Sequence, residues 1–226
     1  MVDDVAAASG EQGATRTVGE HRWPMAAAAL TAGILHQLLP EHFRVAPHWL
    51  YPAFLVVFLV VLIAGDPGLI DRDRRWLRVT TGLMIGMITL VNGISAVRLV
   101  NGILKSGTFE TASQLLATGA IVWLTNILAF ALWFWDFDGG GAGARAAHGL
   151  RHPAFVFPEM TYPELAPASW RPQFVDYLAL SFNTATAFGP TDVSALRRWA
   201  KVLMIMESLI SLALATLVVA RAVNVL

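Results

Sequence analysis

Apolar residues are gathered into five runs, at 23–39, 49–64, 79–97, 112–135 and 202–225, while arginine, proline, glycine and acidic residues collect between them. Most of these runs approach the roughly 20 residues with which a helix crosses a bilayer. The pattern therefore predicts an all-α integral membrane protein with about five transmembrane helices. The first two runs are the shortest and are joined only by "PEHFRVAPH". They are predicted to form an antiparallel hairpin, with Pro40 ending one helix and Pro47 just ahead of the next. Trp23, Trp49, Trp76, Trp133, Trp135 and Trp199 fall at run ends, where an indole sits between hydrocarbon and headgroups.

One shorter segment precedes the last run. The 14 residues 175–188 are too few to span and fall in the range of a re-entrant or interfacial element. Helical spacing places Ser181 with Thr184, and Asn183 with Thr186, on a polar flank, leaving Tyr177, Leu178, Leu180 and Phe182 for apolar surroundings. Gly189 and Pro190 then stop the helix, and Thr191 or Asp192 is suited to cap the next one. The prediction is a short re-entrant half-helix, a turn and a full span. Irregular backbone at membrane depth survives only where it is buried in protein or lines a water-filled cavity. That makes Ser181, Asn183, Thr184, Thr186, Gly189, Pro190 and Asp192 the candidate site.

The same pattern divides the chain. Residues 1–22 read as a mobile N-terminal tail, with neither a basic n-region nor a cleavage site behind a short apolar core, so no cleaved signal peptide is expected. Residues 23–135 form a four-helix transmembrane region. Residues 136–174 open with "DFDGGG" and space prolines among aromatics, a composition suited to a long loop rather than a regular helix or strand. Phe155, Phe157, Tyr162 and Trp170 of that loop either rest in the headgroup region or lie on the bundle. Residues 175–226 hold the half-helix and the final span. No internal repeat of the kind found in secondary transporters is evident. With four alternating spans, Arg16, Arg22, Arg72, Arg74, Arg75, Arg78, Arg145, Arg151 and Arg171 share one side, and Arg44, Arg98 and Lys105 take the other. The positive-inside rule puts the N-terminus in the cytoplasm, and the plasma membrane is the expected location.

Charge and chemistry narrow the function. The 16 bases and 16 acids cancel, so no basic field is available for nucleic acid. The absence of cysteine excludes disulfides, thiolate metal sites and a cysteine nucleophile. No Ser/His/Asp arrangement, paired-carboxylate site, phosphate loop or zincin motif is present, so neither an enzyme nor a cofactor is predicted. His36, His42 and His48 gather around the first hairpin, and His148 and His152 have i,i+4 spacing. A Gly-rich linker argues against a helix there, no acidic ligand accompanies them, and no metal site is predicted. Inside the apolar runs lie Asn92, Asn126 and Glu207. Asparagines commonly fasten membrane helices together, whereas a carboxyl about two turns inside the last helix is a functional candidate. In the re-entrant arrangement Glu207 needs an amide, hydroxyl or water partner; if 175–188 spans instead, Arg98 comes within reach. Arg197, Arg198 and Lys201 beside Trp199 form a basic collar for an anionic leaflet.

The end of the chain, "SFNTATAFGPTD" followed by an apolar helix, resembles pore-loop cation channels of the potassium type. Thr184, Thr186, Gly189 and Asp192 fall where that family's TxTxGxxD places them, with Pro190 at the filter's aromatic position and Thr191 at its second glycine, a degenerate filter. From residue 49 onward, through "WLTNILAFALWFWDFDGGG" and the C-terminal stretch, the chain also resembles a family of uncharacterised bacterial integral membrane proteins. The pore-loop resemblance implies a channel-like protein conducting a monovalent cation, with several copies around a pore. The alternative is a non-conducting structural or partner-binding membrane protein in which the same hydroxyls only fasten helices.

Overall fold

The computed structural model describes residues 19–45, 47–105, 111–150, 152–186 and 192–225. The fold is built almost wholly of helices. α1 (Trp23–Leu38) carries Pro24 in its first turn, where the missing N–H has no helical partner to lose, and it ends just before Pro40. α2 (Leu50–Gly65) returns alongside it. A two-residue strand β1 (Glu20–His21) pairs antiparallel with β2 (Leu69–Ile70), so the segment ahead of α1 is fastened across the turn that follows α2. α3 (Arg75–Leu104) and α4 (Ala112–Phe137) are the long helices of the middle of the chain, and Thr111 caps α4 by accepting the Gln114 N–H at 3.2 Å.

α4 is the hub, packing against α1, α3, α7 and α8. After it, Gly139, Gly140 and Gly141 take φ of 57°, 86° and 91°, left-handed values that a Cβ would oppose. They fold the chain back into the short α5 (Ala142–His148). Next come β3 (Phe155–Val156), α6 (Pro158–Thr161), α7 (Phe174–Thr186), β4 (Ser194–Ala195) and α8 (Arg198–Val225), with β4 antiparallel to β3.

Three helices, α3, α4 and α8, are long and apolar enough to cross a membrane. This corrects the prediction of five. At 16 residues each, α1 and α2 reach about 24 Å, short of a hydrocarbon core about 30 Å thick. Both helices match the two shortest apolar runs, 23–39 and 49–64, closely, and those runs are themselves too short to cross. Two other boundaries move. Glu20 and Arg22, assigned to the mobile tail, are built into the fold, and the loop at 136–174 contains the helices α5 and α6. Phe155 and Phe157 of that loop are buried in the core, so it lies on the bundle. Trp135 is buried too, not interfacial.

α7 and α8 start at the same end of the bundle. Near its start, α7 brings Tyr177 against Phe155 (ring centroids 6.3 Å apart), and Trp199 at the start of α8 packs on the same Phe155 at 6.0 Å. Farther along, Ser181 meets Glu207, and Ser208 Oγ donates to the Thr184 carbonyl at 3.1 Å. The two helices therefore run parallel. α7, with 13 residues and a length of about 20 Å, is too short to cross a hydrocarbon core of about 30 Å. Arg22, Arg72, Arg145, Arg171 and Arg198 surround this shared end, called below the arginine end. Arg44, Arg98 and Lys105 mark the far end, where Arg98 donates to the Arg44 carbonyl.

Candidate functional site: a buried carboxyl between the half-helix and the last helix

The inner face of α7 supplies the hydroxyls and α8 the acid. Leu180, Ser181 and Thr184 turn inward because the spacing of their apolar neighbours Tyr177 and Ala185 buries that face against α4 and α8. Thr184 spends its hydroxyl on the Leu180 carbonyl at 2.8 Å, a back-bond within the helix. Ser181 reaches outward instead. Its Oγ lies 2.8 Å from the Ile127 carbonyl of α4 and also hydrogen-bonds Glu207 Oε1.

Glu207 is fully buried. No ion pair to it is formed among the described residues, and its Oε2 has no hydrogen-bond partner there. A serine hydroxyl has one hydrogen to give, yet two acceptors, the Ile127 carbonyl and Glu207 Oε1, face it. With a proton on Glu207 the chain closes: the acid donates to Ser181, and Ser181 donates to Ile127. Without that proton, Ser181 serves one acceptor and leaves the other. The three oxygens thus have two arrangements that differ by one proton.

A buried polar column continues from Glu207 toward the far end. One turn along α8, Ser211 accepts from Asn126 Nδ2 of α4 at 3.2 Å. With its amide turned to match its surroundings, Asn92 of α3 donates to the Val122 carbonyl at 3.2 Å and accepts from the Asn126 N–H at 3.3 Å, clasping one rung of the α4 ladder. Beyond it, Ser95 donates to the Phe43 carbonyl at 3.0 Å.

The residues predicted as one site are therefore divided. Ser181, Thr184, Glu207, Asn126 and Asn92 lie in the interior. Asn183 is exposed on the outer face of α7, and Thr186 donates to the Asn183 carbonyl at 3.0 Å. Asp192 is exposed and lies well before Arg198, the first residue of α8, so it does not cap that helix. Gly189, Pro190 and Thr191 lie outside the described residues. His148 pairs with Asp73 at 3.3 Å rather than with His152, and no group of three metal-binding side chains forms among the described residues.

At the arginine end, distance in sequence conceals a second network. Glu20 Oε2 accepts the Trp135 indole N–H at 2.8 Å and pairs with Arg145 at 3.4 Å, while Oε1 accepts the N–H of Phe174, the first residue of α7. Arg145 also donates to the carbonyls of Trp135 and Asp138, both at 2.7 Å. Its guanidinium lies over the Trp135 and Tyr177 rings. Asp138 accepts from Tyr177 Oη at 2.7 Å and from the Ala154 N–H at 2.6 Å. Burial pushes the Glu20 carboxyl above its ordinary value, against the opposing pull of Arg145 and of the hydrogen bonds from Trp135 and Phe174. The "DFDGGG" stretch was the visible signal for Asp138; nothing local marked Glu20.

Searches against protein-family models, curated proteins and solved structures return no match.

Proposed function

We propose that this chain is a multi-pass membrane protein that takes up and passes a monovalent cation, the proton being the smallest, at Glu207. α7 serves as a re-entrant half-helix entering from the cytoplasmic side, which is the arginine end by the positive-inside rule. The observation that carries this reading is the Ser181–Glu207 pair: an ionisable group without a counter-charge among the described residues, inside a helix long enough to span, held by a hydroxyl from a helix too short to span. Intramembrane carboxyls are costly and mark ion and proton pathways. The site differs from an oligomeric filter, since its hydroxyls face the chain's own helices. Purified protein in liposomes, given a pH or potassium gradient, should pass cations. Glu207→Gln should abolish the flux while the protein unfolds within a few degrees of the wild type. Silence of the wild type under both gradients would remove the proposal.

The second reading is a non-conducting membrane protein held together by polar contacts. It is favoured by the engagement of the Ser181, Thr184 and Ser208 hydroxyls with backbone carbonyls. Under it Glu207→Gln would change stability and no transport would be measured.

A further inference from the structure

We infer that the first turns of α3 form a binding site for an anionic phospholipid, with the lipid phosphate on Arg74 and Arg75 and an acyl chain along Val79 and Leu83. The two arginines, Trp76, Val79 and Thr80 line an open recess on the outer surface of the bundle. No acid lines it. The adjoining small cavity shares Arg74 with this recess and also holds Arg22, Arg72 and Arg78, together with Asp66, Asp73 and Asp136. Asp66 takes Arg22 at 3.2 Å and Arg72 at 3.5 Å, and Asp73 takes His148. Among the described residues these pairings leave the charge of Arg74 and Arg75 without an ion-pair partner, and an anion from outside the chain is the complement. A guanidinium matches a phosphate with two parallel N–H donors.

The exposed apolar face of α3 that continues from the recess identifies the anion as a lipid rather than a soluble phosphate. Trp76 is 44 % exposed, and Val79 and Leu83, on successive turns below it, are 53 % and 60 % exposed. They stand on a helix long enough to span. A basic pair above an indole above an aliphatic stripe follows the order of phosphate, glycerol and acyl chain in a leaflet.

The full chain in vesicles, probed with spin-labelled phosphatidylglycerol and spin-labelled phosphatidylcholine, tests this. In the wild type the motionally restricted fraction should favour phosphatidylglycerol by about twofold or more, and the preference should shrink as salt is raised. Arg74→Gln with Arg75→Gln should bring the two lipids to parity. Arg197→Gln with Arg198→Gln, on the α8 collar, should leave the preference in place. Parity in the wild type, a preference that survives the α3 pair, or one lost only with the α8 pair would each overturn the assignment. Equal competition by inorganic phosphate would overturn it in favour of a soluble anion.

Discussion

Ser181 carries more of the interior than its size suggests, because two acceptors depend on one hydroxyl. Ser181→Ala leaves Glu207 Oε1 and the Ile127 carbonyl without that partner, and a buried acceptor without a donor costs about 1–3 kcal/mol. Thermal unfolding in detergent should fall accordingly, and Ser181→Thr, which keeps the hydroxyl, should recover part of the loss. Glu20 offers a pH test. Its folded carboxyl holds a proton more tightly than the unfolded one, so its stabilising share is fully present below its ordinary value of 4.5 and is lost as pH rises through the raised value. Glu20→Gln should flatten that stretch of the stability curve. An unchanged pH profile would assign the titration to another group. Glu207 was legible in the sequence as a lone acid in an apolar run. Glu20 was not, because its partners Trp135, Arg145 and Phe174 lie 115 to 154 residues away.

Among the elements, the helices were the most legible part of the chain. α1, α2 and α4 end within a residue or two of their apolar runs, because proline, tryptophan and glycine stop the run and the helix together. α3 and α8 extend beyond theirs. α3 begins at Arg75 rather than near residue 79 and continues to Leu104, since a helix keeps its hydrogen bonds through an amphipathic turn that hydropathy alone scores as loop. The closeness of α4 and α8 was not legible at all. A Cβ placed on Gly119 would stand 2.7 Å from Val218 Cγ2 and 2.8 Å from Cγ1, so the absence of a side chain sets how near these two long apolar helices come. Gly119→Ala should lower stability by about 1–3 kcal/mol through overpacking. Val218→Ala in the same chain should restore much of it. A Gly119→Ala variant as stable as the wild type would show that the helices part freely there.

For the whole molecule, the decisive geometry is that α7 and α8 leave from one end. A spanning 175–188 segment would place the loop before α7 and the strand before α8 on opposite faces; the parallel packing of Ser181 on Glu207 and the β3–β4 pairing hold them together. Sequence length hinted at this, since the segment is too short to span, but only the contacts show which end receives Ser194. The chain contains no cysteine, so single cysteines can report on it without background. Ser169 and Ser194 are exposed at the arginine end, and Lys105 is exposed at the other. In right-side-out vesicles an impermeant maleimide should label Lys105→Cys and spare Ser169→Cys and Ser194→Cys. In inverted vesicles the pattern should exchange. Labelling of Ser169→Cys and Ser194→Cys from opposite faces would make α7 a full crossing and separate Ser181 from Glu207. With that pair broken the proposed cation site would lose its geometry, and only the packing role of the polar column would remain.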